Sequence, residues 1–232
     1  MITIRRANDR GYADRGWLRS HATFSFGGYQ DPNFVGFRAL RVLNEDRIAP
    51  GKGFGPHSHR DMEILTYVVD GKLAHRDSLS GPHVLGRNEL QAMTAGDGIV
   101  HSEFNASDTE ASHSIQIWID PVAEDLAPSY QQVAFPPEEK RGHLLLLAGP
   151  EPGDSSRTAV IRQQARLYVA ELGPGDRVTH TLAPGRHAWV QVVRGHVMVN
   201  AHELSEGDGG AISDEQEVTV SGAGEVLLLD LA

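Results

Sequence analysis

Residues 51–63 read GKGFGPHSHRDME. This stretch places His57 and His59 at alternate positions behind a run of glycines. Alternate residues of a β-strand point to the same face of a sheet, so the two imidazoles lie side by side if this stretch is a strand. Two imidazoles held in this way are a candidate half-site for a transition metal.

Residues 96–105, GDGIVHSEFN, supply the second half of the pattern. His101 and Glu103 are again two residues apart, which puts an imidazole and a carboxylate on one strand face. Three imidazoles and one carboxylate suit Fe(II), Mn(II), Co(II), Ni(II) and Cu(II), because this mixed nitrogen and oxygen set is neither hard nor soft. Four protein ligands leave one or two positions open for water, O2 or a substrate, which is typical of a catalytic site.

Some residues near these motifs have alternative interpretations. Glu63 is an alternative carboxylate ligand, because it lies an even number of residues beyond His59 and shares its face if the strand is unbroken. The glycines of residues 51–55 are interpreted as a turn, since no Lys-Ser/Thr pair follows them and they open a strand. Four further histidines are scattered, and we interpret them as ordinary surface or core residues: His75, His83, His113 and His143.

Most of the chain consists of short β-type runs separated by Gly, Pro, Asn or Asp, and few segments have helical periodicity. Residues 114–119 alternate strictly, which predicts one buried and one less buried face. The continuous apolar runs 144–147 and 226–229 favour strands that are buried on both faces. Short strands at regular spacing predict an all-β chain of the sandwich or barrel type.

The two halves of the chain resemble a diverged repeat. Residues 64–77 and 189–200 both read as strand, glycine turn, strand, and each is followed by a Gly-Asp-Gly turn. Two similar β units in tandem predict a double barrel. Prolines and charged residues cluster at 121–142, which we interpret as a surface connection. The expected domains are residues 1–134, with the metal site, and residues 135–232, without it.

The second half lacks the ligand pattern. When the corresponding turn glycines of the two halves are aligned, the three histidines are replaced by Thr181, Ala183 and Ile212. His180 lies one residue out of register, and a single histidine does not make a metal site. We therefore expect a metal-free second barrel that serves as a scaffold or as a wall of the pocket.

The composition argues against several functional classes. The formal net charge is -10 and no basic stripe is present, which disfavours direct binding to nucleic acid. The absence of cysteine excludes disulfides and thiolate metal sites and fits a cytoplasmic protein. Residues 1–17 are charged and lack an apolar core, so we expect no secretory signal. No run approaches the roughly 20 apolar residues that a membrane span needs.

Longer stretches around the motifs resemble a known family. GKGFGPHSHRDMEILTYVVDG is similar to the first cupin motif, and GDGIVHSEFN to the second. Together with FSFGGYQDPNFVGFRALRVLNED before them, these segments resemble the pirin family over about the first 120 residues. The resemblance implies a bicupin, with two tandem β-barrel (jelly-roll) domains and the metal in the N-terminal barrel only. It also implies the ligands His57, His59, His101 and Glu103, and so favours Glu103 over Glu63.

The resemblance implies two kinds of function. Bacterial pirin-like proteins are associated with quercetin 2,3-dioxygenase activity, and animal pirins with iron-dependent binding to transcription factors. The first hypothesis is a metal-dependent dioxygenase that cleaves a flavonol such as quercetin with O2, in which Glu103 is both a metal ligand and the catalytic base. The alternative is a pirin-like, iron-dependent redox-sensing protein that regulates a protein partner such as a transcription factor. A cupin isomerase or storage protein comes third, because it would leave the open metal positions without a use.

These hypotheses define the expected cofactor and partners. The cofactor is one divalent transition metal, with Fe(II) favoured and Mn, Co, Ni, Cu or Zn as alternatives. The partners are a flavonol and O2, together with a protein partner under the alternative, and neither nucleic acid nor a membrane. Phe54, Met93 and Ile115 are apolar neighbours of the motifs and candidates for the pocket lining. Internal duplication provides paired barrels within one chain, so we expect a monomer.

Overall fold

The computed structural model describes residues 1–152 and 157–232 and shows an all-β chain. In chain order the strands are β1 (Ile2–Arg5), β2 (Gly11–Asp14), β3 (Leu18–Ala22), β4 (Leu40–Ile48), β5 (Gly53–His59), β6 (Glu63–Asp70), β7 (Lys72–Asp77), β8 (His83–Gly86), β9 (Glu89–Thr94), β10 (Ile99–Asn105), β11 (Ser112–Ile119), β12 (Ser129–Ala134), β13 (Leu145–Gly149), β14 (Ala159–Val160), β15 (Arg166–Leu172), β16 (Arg177–Thr181), β17 (His187–Val199), β18 (His202–Ser205), β19 (Gly209–Ile212) and β20 (Glu217–Leu231). The described helices are two short 3-10 turns, Ala7–Asp9 and Pro137–Lys140, and neither has the length or apolar character needed to span a membrane.

The chain forms two compact units. The N-terminal unit comprises Gly11–Ala134 and Ala159–Gln163, and the C-terminal unit comprises Met1–Arg10, Phe135–Thr158 and Gln164–Ala232. The longest segment of the N-terminal unit ends at Ala134, and Phe135 begins the next segment of the C-terminal unit. Two short segments, however, belong to the unit other than the one in which we expected them.

Long-range pairing explains both exchanged segments. Strand β1 pairs with β19 in the C-terminal unit, with Ile2 opposite Ile212. In the N-terminal unit, Val160 exchanges two hydrogen bonds with the side chain of Gln131, at 2.7 and 2.9 Å. Neither contact has a local sequence signal, because the partners lie far apart along the chain.

The N-terminal unit is a sandwich of two antiparallel sheets. The larger sheet has the strand order β12-β9-β6-β11-β4-β3-β2, and the smaller one has the order β5-β10-β7-β8. Their facing sides share a core cluster of Leu18, Ile48, Val68, Leu73 and Leu85. Burial of each such side chain contributes about 1.5–3 kcal/mol. Strands β5 and β10, which carry the predicted site, therefore lie side by side at one edge of the smaller sheet.

Strand β11 shows the predicted alternation. Ile115, Ile117 and Ile119 are buried in the core, whereas Gln116 and Trp118 on the opposite face are half-buried. The less buried face lines the cavity described below. The strict alternation of this segment was therefore a correct indication of a strand with two different environments.

In the C-terminal unit the strand order is β1-β19-β17-β20-β15-β13, with β16 paired to β20 and β18 paired to β17. Its core is built mainly from valine and leucine, including Val190, Val192, Val226 and Leu228. Residues 226–229 are fully buried, as predicted, because β20 lies between β15 and β17. The leucines of residues 144–146 are only half-buried, so the prediction for that run was partly wrong.

Neither of the two strand-glycine-strand segments is a hairpin, in which the flanking strands would pair with each other. Strands β6 and β7 flank Gly71, but β6 pairs with β9 and β11 while β7 pairs with β8 and β10. Gly195 lies inside the single long strand β17, where the pairing with β20 shifts register between Val192 and Arg194. Both glycines have positive φ, +73° and +79°. A strand-glycine-strand pattern does not distinguish a chain reversal from a bend.

The stretch 121–142 is not a simple surface connection. Ser129–Ala134 forms the edge strand β12 of the larger sheet, and Pro137–Lys140 forms a 3-10 turn. Within the C-terminal unit, Lys140 is fully buried and its Nζ lies 2.6 Å from the carboxylate of Glu225. The prolines that suggested a loop therefore flank strand β12. One of the charged residues, Lys140, forms a buried ion pair.

Candidate metal centre

The four predicted ligands lie on the adjacent strands β5 and β10. His57 pairs with His101, so their side chains start from neighbouring points on one face of the sheet. The register then shifts, and Glu103 lies opposite Phe54. Strand β5 thus takes three residue steps where β10 takes two, which is the mark of a β-bulge. Bulges of this kind redirect side chains next to functional sites.

Gly53 allows the two strands to approach at this bulge. A Cβ atom at this position would lie 2.1 Å from the carbonyl oxygen of Glu103 and 2.5 Å from Cα of Phe104. A Cβ atom at Gly55 would meet nothing within 4 Å. The prediction that the glycine run is a turn is correct for Gly51, which has φ +62°, whereas Gly53 and Gly55 belong to β5.

The three histidines form a compact triangle. The ring centroids of His57 and His59 are 4.9 Å apart, those of His57 and His101 are 4.4 Å apart, and those of His59 and His101 are 4.7 Å apart. One nitrogen from each ring lies within 4.8 Å of the other two. An ion at the centre of such a triangle would be within reach of all three imidazoles.

Glu103 lies beside this triangle and is held by a chain of hydrogen bonds from β11. Its Oε2 accepts a hydrogen bond from the side-chain amide of Gln116 at 2.9 Å, and the carbonyl oxygen of that amide accepts one from the indole of Trp118 at 3.0 Å. The carboxylate groups most closely with His101 and His75. Burial, together with the nearby Asp46, raises the pKa of Glu103 to about 7, although the Gln116 bond opposes this rise.

Two atoms of this cluster are buried without a hydrogen-bond partner: Nε2 of His101 and Oε1 of Glu103. Folded proteins seldom leave such atoms unpaired. Burial and the neighbouring imidazoles lower the pKa of His101 to about 3 and that of His59 to about 4, so both rings are neutral and carry a lone pair at neutral pH. Neutral imidazoles and an unpaired carboxylate oxygen are the donors that a divalent transition metal requires.

A cavity of about 710 Å3 opens onto the cluster. His57, His59 and Glu103 form part of its wall. Six aromatic side chains also line it: Tyr12, Trp17, Phe26, Tyr29, Phe54 and Trp118. Of the three apolar residues that we expected at the pocket, Phe54 lines it. Ile115 is instead buried on the face of β11 opposite to Gln116 and Trp118. Met93 is buried in a core cluster against which Trp118 packs, so it lies behind the cavity wall rather than in it.

The cavity also contains two hydrogen-bond acceptors that sequence reasoning missed. Asn44 and Asp46 are two residues apart on β4 and both line the cavity. The Oδ1 atom of each is buried and has no hydrogen-bond partner. Burial raises the pKa of Asp46 to about 6. A hydrogen bond from Ser20 opposes this rise, and the nearby charge of Glu45 adds to it. Both residues belong to the segment before the first motif that resembles the pirin family, but nothing in that segment indicates that their side chains face a cavity.

His75, interpreted above as an ordinary histidine, belongs to the surroundings of the site. Its ring is buried next to His101, with the two Nδ1 atoms 3.4 Å apart. Its Nε2 lies 2.8 Å from Oδ2 of Asp77. A signal was present in the sequence, because His75-x-Asp77 repeats the alternate spacing of the two ligand pairs.

Glu63, the alternative carboxylate, lies at the start of β6. It is fully buried, and its Oε2 accepts a hydrogen bond from the Thr94 hydroxyl at 3.0 Å. Burial raises the pKa of Glu63, although Arg162 and Thr94 oppose that rise. Neither group of candidate ligands found in residues 1–152 and 157–232 includes Glu63.

Both of those groups belong to the N-terminal unit. In the C-terminal unit, Nε2 of His180 lies 2.8 Å from a carboxylate oxygen of Asp230. His187 lies 2.8 Å from the hydroxyl of Ser213. These two imidazoles therefore take part in hydrogen bonds with neighbouring side chains of their own unit.

Comparison with protein families covers both halves of the chain. The family model described as Pirin matches residues 3–119. A second family model, described as Quercetinase C-terminal cupin domain, matches residues 146–231. Each half of the chain therefore has its own cupin-type match, in agreement with the two tandem β units expected from the sequence.

Similar proteins extend over the full length. The quercetin 2,3-dioxygenase of Escherichia coli (strain K12) is 46% identical over 233 residues, which cover 100% of this chain and 99% of that protein. A pirin-like protein of Caulobacter vibrioides is 38% identical, with 100% of each chain covered. The crystal structure of YhhW from Escherichia coli has a TM-score of 0.95 at 44% identity, covering 100% of this chain and 98% of that one. The structure of bacterial pirin YhhW in complex with nickel(II) has a TM-score of 0.94 at the same identity and covers 100% of this chain and 99% of that one.

Proposed function

The chain belongs to the pirin family, and from this premise we propose that it is a metal-dependent dioxygenase that cleaves a flavonol such as quercetin with O2. The observation that carries the proposal is the cavity of about 710 Å3 whose wall contains His57, His59 and Glu103. This volume lies within the range of pockets that enclose a drug-sized molecule. A three-ring flavonol is a molecule of that size, and its adjacent hydroxyl and carbonyl oxygens suit a site with open coordination positions.

We propose that His57, His59, His101 and Glu103 hold the ion. When bound, a divalent metal supplies a Lewis acid for the substrate oxygens and a redox centre for O2. Nδ1 of His57 donates a hydrogen bond to the Gly55 carbonyl at 2.9 Å, which leaves the lone pair on Nε2. We favour Fe(II) as the native ion. The nickel(II) complex of the bacterial relative supports a divalent ion and leaves the choice of metal to experiment.

Glu103 is the proposed catalytic base. Oε1, the oxygen that has no partner in the protein, would serve by turns as metal donor and as acceptor of the proton of the flavonol 3-hydroxyl. The Gln116 amide holds Oε2 in place, so the carboxyl group does not have to reorient when it takes up the proton. Ring cleavage then releases carbon monoxide, as the family resemblance implies.

The remaining walls of the cavity suit a hydroxylated aromatic substrate. The aromatic side chains Trp17, Phe54 and Trp118 provide apolar surfaces for stacking against the flavonol rings. The unpaired oxygens of Asn44 and Asp46 provide acceptors for phenolic hydroxyl groups. We therefore propose that these two residues orient the substrate by its hydroxyl groups.

The test is oxygen consumption by the apo-protein reloaded separately with Fe(II), Mn(II), Co(II), Ni(II), Cu(II) or Zn(II), on addition of quercetin. The expected result is metal-dependent oxygen uptake with release of carbon monoxide, highest for the native metal. The His57→Ala, His59→Ala double variant is the negative control, and Asp108→Asn on the exposed surface is the control for substitution as such. Metal binding without oxygen uptake for any of the ions would refute the proposal.

The same protein preparation separates this proposal from the redox-sensing alternative. A binding protein of that kind would capture a protein partner in one oxidation state of iron and would not turn over a flavonol. Identical capture by the Fe(II) and Fe(III) forms would contradict the alternative. The monomeric state and the cytoplasmic location stay predictions, to be tested by light scattering of the purified chain and by cell fractionation.

A further inference from the structure

We propose that His75 and Asp77 are positioning residues that hold His101 in the tautomer that binds the metal. This inference rests on the ligand set proposed above and concerns only how one of those ligands is prepared. Both side chains are fully buried on β7, which pairs with β10. In this pairing Asp77 lies opposite His101 and His75 lies opposite Glu103, so all four side chains share one sheet face.

The carboxylate of Asp77 is the fixed end of the arrangement. Its Oδ1 accepts hydrogen bonds from the backbone N–H groups of Leu79 at 2.7 Å and Ser80 at 2.6 Å. These two donors belong to the turn that follows β7 and hold the carboxylate in one orientation. Oδ2 is thereby directed to Nε2 of His75, 2.8 Å away. The carboxylate accepts, so the proton of a neutral His75 must lie on Nε2.

The position of the proton on His75 determines the position of the proton on His101. With its proton on Nε2, His75 has a lone pair on Nδ1, which lies 3.4 Å from Nδ1 of His101. The contact is a long hydrogen bond, and it is favourable only if Nδ1 of His101 carries the proton. Nε2 of His101 then carries the lone pair, and this is the buried atom that has no partner in the protein. The chain Asp77–His75–His101 thus prepares a metal-binding nitrogen before any metal arrives.

An alternative is that His75 is itself a ligand, because its ring groups with His101 and Glu103 within 4.8 Å. Both of its nitrogens are already engaged, one by Asp77 and the other by His101. The ring is also stacked on Tyr130, with centroids 4.9 Å apart and an angle of 26° between the planes. A ligand role would require His75 to give up one hydrogen bond and rotate away from this stack.

The variant Asp77→Asn tests this hydrogen-bond chain with almost no change in side-chain shape. The backbone donors of Leu79 and Ser80 require an acceptor, so the amide oxygen takes the place of Oδ1. The amide N–H2 group then faces His75 and forces its Nε2 to accept. The proton of His75 moves to Nδ1 and opposes the proton on His101, which disfavours the tautomer that binds the metal.

The measurement is the affinity of the apo-protein for Ni(II), by calorimetric titration at pH 7. Loss of a partner that orients a metal ligand typically weakens binding about 10- to 100-fold. We expect this loss for Asp77→Asn and for His75→Phe, with the melting temperature of the apo-protein retained. The double variant should bind like His75→Phe alone, because Asp77 acts only through His75. The control Asp108→Asn should bind like the wild type.

Three results would overturn the inference. The first is Ni(II) affinity of Asp77→Asn within twofold of the wild type. The second is additive losses in the double variant, which would mean that the two residues act separately. The third is a changed visible spectrum of bound Co(II) in His75→Phe, like that caused by removal of His57, because this would make His75 a ligand.

Failure of this inference and failure of the proposed function are separate outcomes. Unchanged metal binding in the His57→Ala, His59→Ala variant would refute the ligand set itself. The expected loss of Ni(II) affinity in Asp77→Asn, together with no oxygen consumption by the wild type on quercetin, would support the hydrogen-bond chain and refute the dioxygenase proposal. If the wild type is an active dioxygenase but Asp77→Asn binds Ni(II) within twofold of it, only the role of the hydrogen-bond chain is refuted.

Discussion

Glu103 is a buried carboxyl group whose two oxygens have different surroundings, since Gln116 holds one and the other has no partner. The variant Glu103→Ala should abolish oxygen uptake with quercetin at saturating metal, because it removes both a ligand and the proton acceptor. Loss of a general base alone typically lowers the rate about 100- to 10,000-fold. The measurement is kcat of the metal-loaded variant, with Asp108→Asn as control. Turnover near the wild-type rate would show that Glu103 is not the base.

Asp46 is expected to act on substrate binding rather than on the metal. The variant Asp46→Leu removes the unpaired acceptor from the cavity and should raise KM for quercetin by about 10-fold or more, since a hydrogen bond to a charged group contributes roughly 1.5–3 kcal/mol. The affinity for Ni(II) should stay within twofold of the wild type. A flavonol with fewer hydroxyl groups provides the comparison. An equal change of KM for both flavonols would contradict the proposed hydroxyl contact.

At the scale of elements, the close approach of β5 and β10 depends on the glycine at position 53. The variant Gly53→Ala should lower the free energy of unfolding by about 1–3 kcal/mol and weaken Ni(II) binding, because the added methyl group meets the backbone of β10. Gly55→Ala on the same strand is the matched control, since a Cβ atom there meets nothing within 4 Å. Urea unfolding and metal titration measure both effects. Equal behaviour of the two variants would contradict this account of the site.

A second element-scale prediction concerns Asp208, which anchors the segment after β1. Its carboxylate accepts hydrogen bonds from Arg6 and from the backbone N–H of Ala7, each at 2.7 Å. Burial opposes ionisation, but the hydrogen bonds from Ser205, Ala7 and Arg6 outweigh it and lower the pKa of Asp208. The variant Asp208→Asn should therefore lose about 1–3 kcal/mol of unfolding free energy at pH 7.

The sign of the pH dependence follows from this lowered pKa. The stabilisation by Asp208 is complete above the pKa of an unfolded aspartate, about 4, and is lost as the pH falls through the lower pKa of the folded state. The difference in unfolding free energy between wild type and Asp208→Asn should thus shrink in strongly acidic solution. Urea unfolding from pH 7 to pH 3 measures it, with Glu151→Gln as an exposed control. A difference that grows with acidity would contradict the assignment.

At the scale of the whole molecule, the units are not the two halves of the chain. Residues 159–163 belong to the N-terminal unit, where the backbone of Val122 donates to the Arg162 carbonyl at 2.7 Å and Gln163 donates to the Asp120 carbonyl at 2.7 Å. A fragment of residues 11–163 should therefore bind one equivalent of Co(II). A fragment of residues 11–134 should be less stable by several kcal/mol, because each lost hydrogen bond contributes about 0.5–1.5 kcal/mol. Equal stability of the fragments in urea would contradict this division.

The local features of this protein were readable from its sequence. His57 and His59 are two residues apart, and so are His101 and Glu103. Residues at this spacing on a β-strand point to the same face, whatever the rest of the chain does. Alternation over residues 114–119 predicted a strand with one buried face, which is confirmed. The predicted all-β fold with two tandem units is likewise confirmed, because short apolar runs and turn residues are themselves local signals.

The surroundings of the site depended on tertiary structure. Asp77 and Gln116 reach the candidate ligands only because β7 and β11 are placed beside or across from β10 by long-range strand pairing and packing. Asn44 and Asp46 line the cavity for the same reason. The identity of each residue was visible, but register and sheet packing decide which distant strands become neighbours. Those are properties of contacts between remote segments, and no local pattern encodes them.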